Sequence, residues 1–84
     1  MIVAFDQQAF ADFKAWALED KKIFARIGDL IRDISRDPFR GIGKPEPLKH
    51  ELVGFWSRRI TDEHRLVYKV EGETIYIVSC KFHY

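Results

Sequence analysis

A single cysteine, Cys80, stands in this 84-residue sequence. It excludes an internal disulfide and, with no second thiol nearby, offers no start to a thiolate zinc site; this usage fits a reducing, cytoplasmic setting. Long apolar runs are missing too. The chain opens Met-Ile-Val-Ala-Phe and meets Asp6 at once, so neither a signal peptide nor a membrane span is expected. Neither sign of charge dominates: 14 Lys and Arg face 13 Asp and Glu, for a net charge of +1. No repeat, linker or low-complexity stretch interrupts the chain. The histidines lack zinc spacing, and no phosphate-binding glycine loop or Ser-His-acid set is present, which leaves no metal or cofactor expected.

What is present is apolar and aromatic material for one small core. Hydrophobic residues make up 46% of the chain and aromatics 14%, enough for one domain over residues 1–84 and too little chain for a second core. The balanced charge hides an asymmetry. Residues 1–38 carry six basic and seven acidic side chains, whereas residues 39–84 carry eight and six together with all three histidines. That is a faint electrostatic pointer to an anionic partner for the second half.

The pattern predicts a strand over Ile2–Phe5, with Asp6 placed to cap a following helix. Ala9, Phe10, Phe13, Trp16 and Ala17 form that helix's apolar stripe. Asp20 caps a second helix, whose stripe is Ile23, Ile27, Leu30, Ile31 and Ile34, and Pro38 should stop it at or before Asp37. Gly41, Gly43, Pro45 and Pro47 make residues 39–47 an ordered, extended loop. Strands are expected over residues 55–60, 65–70 and 74–82, with a shorter one over 48–52 and turns at Thr61-Asp62-Glu63 and Glu71-Gly72-Glu73. The result is an α+β domain: strand, helix, helix, then antiparallel strands, with the helix hairpin on one face of a largely antiparallel sheet and the other face uncovered.

Three positions in the second half could do chemistry. Glu46 lies between Pro45 and Pro47, each of which fixes φ and removes a donor, so its carboxylate rides on a stiff backbone; a solvated loop glutamate is the ordinary alternative. Strand alternation sends Arg58 and Arg59 to opposite faces, so one of them should reach the uncovered side, where a guanidinium can grip phosphate oxygens. Phe55 and Trp56 beside them suit core packing better than base stacking. Arg65 opens one strand and His83 closes the last, and whether they share a face depends on the loop around Gly72: two or four residues put Arg65 opposite Cys80, three put it on the side of His83. Together Glu46, Arg65 and His83 contain what metal-free RNA cleavage requires: a base for the 2′-hydroxyl, an acid for the departing 5′-oxygen and a cation for the phosphoryl charge. Histidine is the natural acid, since its unperturbed pKa is about 6.5.

The stretch GIGKPEPLKHELVGFWSRRITDEHRLVYKV, together with the ending CKFHY, closely resembles the YoeB (Txe) toxins of the RelE-like superfamily. The likeness extends over essentially the whole chain, with Asp62 a mild departure where glutamate is common. The resemblance implies a RelE-like fold and a type II toxin: a ribosome-dependent mRNA interferase, cutting mRNA in the ribosomal A site and thereby inhibiting translation. By the same resemblance Glu46 is the general base, His83 the general acid and Arg65 the phosphate stabiliser. Tyr84 completes the site, and Lys49 and Arg59 are supporting cations. Its implied partners are mRNA on the ribosome, ribosomal RNA and a cognate YefM/Axe-like antitoxin; homodimerisation stays open. Two other readings compete: a non-catalytic nucleic-acid-binding module docking on phosphates, and a structural partner whose uncovered sheet accepts a peptide.

Overall fold

The computed structural model describes residues 1–82. Strand β1 (Ile2–Phe5) leads into helices α1 (Gln7–Glu19) and α2 (Lys21–Arg36). The short β2 (Glu46–Pro47), a 3-10 turn over His50–Leu52, and strands β3 (Trp56–Arg59), β4 (Arg65–Glu71) and β5 (Thr74–Ser79) follow. Both predicted caps form: Asp6 accepts from the backbone of Gln8 and Ala9 at 3.0 and 3.4 Å, and Asp20 from Lys22 and Ile23 at 3.1 and 3.2 Å. These carboxylates take up amide groups that a helix start leaves without partners. The second helix stops at Arg36, with Asp37 extended before Pro38, as the steric limit on the pre-proline residue requires.

The sheet has the order β1-β5-β4-β3-β2, with β1 parallel to β5 and all other pairs antiparallel. The helix hairpin covers one face. Ile27, Leu30 and Ile34 from α2 meet Leu66, Tyr68, Ile75 and Ile77 from the sheet, all fully buried. Phe5, Phe13 and Phe24 stack in series, with centroids 5.1 and 4.7 Å apart, and tie β1 to both helices. Phe10, expected in the buried stripe, is instead half-exposed at its margin, edge-on to Phe5 and beneath the Lys14 ammonium.

Three expectations for the second half need correction. The short strand lies at Glu46–Pro47 rather than residues 48–52, because His50 adopts a positive φ of 59° that turns the chain into the 3-10 segment. The 39–47 segment therefore ends in a strand, and its prolines fit there because β2 is an edge, where a missing donor costs no ladder bond. The last strand ends at Ser79 rather than at residue 82, since the chain bends beyond it and Phe82 has a φ of 60°.

Candidate active site

A buried arginine organises the approach to the site. Arg58 projects to the helix side, is fully buried, and uses all five of its N–H groups. Nε donates to the Tyr68 hydroxyl at 3.1 Å; Nη1 donates to Asp33 at 2.6 Å and to the Ile42 carbonyl at 3.2 Å; Nη2 donates to the carbonyls of Asp37 and Arg40 at 2.6 and 3.0 Å. The Tyr68 hydroxyl in turn donates to the Pro38 carbonyl at 2.7 Å. Four backbone carbonyls of the 37–42 loop are thus fixed from inside the core. Asp33 also accepts from the Ile42 amide at 2.9 Å. That bond first, and Arg58 second, hold its carboxyl below the ordinary value. Burial pushes the Tyr68 phenol up, and the Cys80 thiol up to about 12.

The anchored loop delivers the chain to Gly43. Its φ is 81°, and a Cβ there would lie 2.8 Å from Leu30 and 3.1 Å from both Arg58 and the Arg59 carbonyl, so the position accepts only glycine without displacement. The Gly43 carbonyl accepts from the Arg59 amide at 2.6 Å, seating the loop on β3 just before Pro45-Glu46-Pro47. Glu46 then pairs with Ser57.

The sheet register shows which candidates share the face turned away from the helices. Residues directly opposite in an antiparallel pair project to the same side. Glu46 opposes Ser57, Ser57 opposes Val67 and Val67 opposes Ser79, forming one row across four strands. One alternation further along, Arg59 opposes Arg65 on the same face. Ser57 and Val67 are buried and make the floor, while Glu46 and Arg59 are exposed at the rim. From strand spacing and rise, the Cα atoms of Glu46 and Arg65 lie ~12 Å apart, a span that a glutamate and an arginine can bridge around a phosphodiester. Lys49 is exposed where the 3-10 turn begins, immediately after this strand.

The Arg59–Arg65 pair is the electrostatic signature. Like charges directly opposite each other disfavour a sheet, and among the described residues neither arginine has a carboxylate partner. Arg65 donates from Nη1 to the Thr61 carbonyl at 3.0 Å, which steers one edge of its guanidinium. The arrangement suits an anion held between two guanidinium groups. Among the described residues no three His, Cys, Asp or Glu side chains converge as a metal site.

The open question of register has a specific answer as far as the described residues go. Glu71 opposes Thr74, so the loop is the two-residue Gly72-Glu73, which alone would set Arg65 opposite Cys80. A bulge intervenes: Tyr68 opposes Ile77 but Val67 opposes Ser79, so Val78 is extra and the pairing has shifted by one residue at Ser79. The Arg65 amide then donates to the Phe82 carbonyl at 2.8 Å. His83 and Tyr84 lie outside the described residues. His64, absent from the sequence-based candidates, is buried beside this junction with its Nδ1 accepting from the Phe82 amide at 2.8 Å; only its place next to Arg65 pointed toward it.

Comparison with known proteins gives concordant matches. The model of the YoeB-like toxin of bacterial type II toxin–antitoxin systems matches residues 5–84. Toxin YoeB of Escherichia coli K12 is 50% identical over 84 residues, covering all of both chains. Among solved structures, the YoeB/ParE toxin from Agrobacterium tumefaciens superposes with a TM-score of 0.97 at 44% identity, covering all of both chains. The chain from the YoeB-YefM complex of Staphylococcus aureus superposes at 0.93 with 47% identity, covering 100% of this chain and 98% of that one.

Proposed function

The chain belongs to the YoeB-like toxins of bacterial type II toxin–antitoxin systems, and from that premise we propose that it is a ribosome-dependent endoribonuclease cutting mRNA in the A site. The observation that carries this reading is the sheet face turned away from the helices, where Arg59 and Arg65 oppose each other with no carboxylate partner among the described residues and Glu46 stands at the rim. Two opposed guanidinium groups suit a phosphodiester, and a carboxylate nearby can take a proton from the 2′-hydroxyl.

In the proposed reaction Glu46 removes the 2′-hydroxyl proton, and the 2′-oxygen attacks the adjacent phosphorus. The bond from phosphorus to the 5′-oxygen breaks, leaving a 2′,3′-cyclic phosphate and a 5′-hydroxyl whose proton comes from His83. Arg65 neutralises charge on the phosphoryl oxygens, with Arg59 and Lys49 as flanking cations and Tyr84 completing the site against the message. Every role is filled by a side chain, which makes the mechanism metal-free. The small face holds few groups for gripping single-stranded RNA, so a codon presented in the A site supplies the orientation that otherwise limits the rate. Ribosomal RNA then meets the basic rim, and a YefM-like antitoxin holds the toxin inactive; the YefM complex formed by the Staphylococcus aureus relative supports that partner.

The test is to map cleavage ends on a defined message with and without ribosomes. Cuts within the A-site codon, dependent on ribosomes, are expected. Equal cutting of naked RNA, or no cutting in either condition, contradicts the reading.

A further inference from the structure

The irregular segment after β5 is tied down at each of its described residues, Cys80, Lys81 and Phe82. The Cys80 carbonyl accepts from Trp16 Nε1 at 3.0 Å, the Lys81 carbonyl from the Ser79 hydroxyl at 3.3 Å, and the Phe82 carbonyl from the Arg65 amide at 2.8 Å. The Phe82 amide donates to His64 Nδ1 at 2.8 Å. Consecutive residues, His64 and Arg65, therefore hold both polar groups of Phe82, whose positive φ of 60° is costly for a side-chain-bearing residue and needs outside support.

His64 is itself fixed from all sides. Its ring packs edge-on to Trp16 at 4.8 Å and against Phe82 at 5.4 Å, its amide donates to the Thr61 hydroxyl at 3.1 Å, and Nε2 lies 3.6 Å from Glu63. Because Nδ1 accepts, the ring proton sits on Nε2. Packing alone would be satisfied by any flat apolar group of this size; the Phe82 bond requires an acceptor at the Nδ1 position.

We propose that His64 is a positioning residue for the cleavage reaction: by holding the Phe82 amide while Arg65 holds its carbonyl, it sets the backbone direction from which His83 continues. This rests on the ribonuclease reading above. His64 touches no substrate; it acts through the residue before the proposed acid, and Trp16 supports it by fixing Cys80.

The experiment compares wild type, His64→Leu, His64→Asn and Trp16→Phe in single-turnover cleavage on programmed ribosomes, with hydrogen exchange at the Phe82 amide and thermal unfolding measured alongside. Leucine keeps apolar volume without an acceptor, while the asparagine oxygen can replace Nδ1. The expected result for His64→Leu is a loss of about ten- to a hundredfold in maximal cleavage rate, from displacement of the acid, with ribosome affinity unchanged. Protection of the Phe82 amide should fall about tenfold or more. His64→Asn should recover most of both losses, and Trp16→Phe should reproduce a smaller rate loss. A purely structural histidine predicts a lowered melting temperature without the rate-against-affinity split and no advantage of asparagine over leucine, which overturns the proposal. Should His64→Leu not fold, full-rate cleavage by Trp16→Phe with unchanged Phe82 exchange overturns it. Loss of ribosomal cleavage by wild type itself instead sinks the parent reading, while the exchange measurement still decides whether His64 holds Phe82.

Discussion

Replacing Arg58 by alanine probes the feature on which the approach to the site depends. Five hydrogen bonds disappear, and three backbone carbonyls, the Tyr68 hydroxyl and the Asp33 carboxylate lose a donor inside or at the edge of the core. Removing one partner from a buried charged network costs about 3–5 kcal/mol, because the remaining groups stay desolvated. A chain of this size has a total stability on the order of 5–10 kcal/mol. Each kcal/mol moves the midpoint by about 4–8 °C, so Arg58→Ala should melt at least about 12 °C below wild type in a thermal scan by circular dichroism. Arg58→Lys should fall between the two, since an ammonium has three donors and no planar fork. The Ile42 amide, which bonds to Asp33, should exchange faster in both variants. An Arg58→Ala midpoint within about 3 °C of wild type refutes the view that this network anchors the 37–42 loop.

Gly43→Ala should cost about 1–3 kcal/mol, from positive φ and the contact with Leu30, measurable in urea; no change in midpoint would contradict the close approach. Asp33 has a depressed folded value, so its contribution is complete above the ordinary value of 3.8 and is lost as pH falls through the folded one. Acid titration of Asp33→Asn should therefore show a shallower fall in stability below about pH 4 than wild type shows, and parallel acid limbs would contradict this. Cleavage should persist in EDTA at concentrations where ribosomes stay assembled, and its loss there would overturn the metal-free mechanism.

Much of the architecture was legible because its signals are local. Asp6, Asp20 and Pro38 mark helix boundaries through capping and steric exclusion, and the stripes of both helices are set by periodicity. Glu46, Arg59 and Arg65 were legible as residue types, but their common face follows from pairings between strands distant in sequence. The Val78 bulge was not legible, since a one-residue shift leaves no compositional trace yet changes the pairing at Ser79. Nor was Arg58: alternation placed one of two arginines inward, but a buried guanidinium is tolerable only when five acceptors converge on it, and those come from Asp33, Asp37, Arg40, Ile42 and Tyr68. The turn at His50 replaced an expected strand because a positive φ at a residue other than glycine is set by its surroundings.

The central proposal is that the sheet face opposite the helices, bearing Glu46, Arg59 and Arg65, is where RNA is cut. Its most direct test is the cleavage rate on programmed ribosomes for Glu46→Ala and Arg65→Ala, with folding verified by circular dichroism. A loss of about a hundredfold or more in each, with ribosome binding retained, is the predicted result. Wild-type cleavage by either folded variant would contradict it.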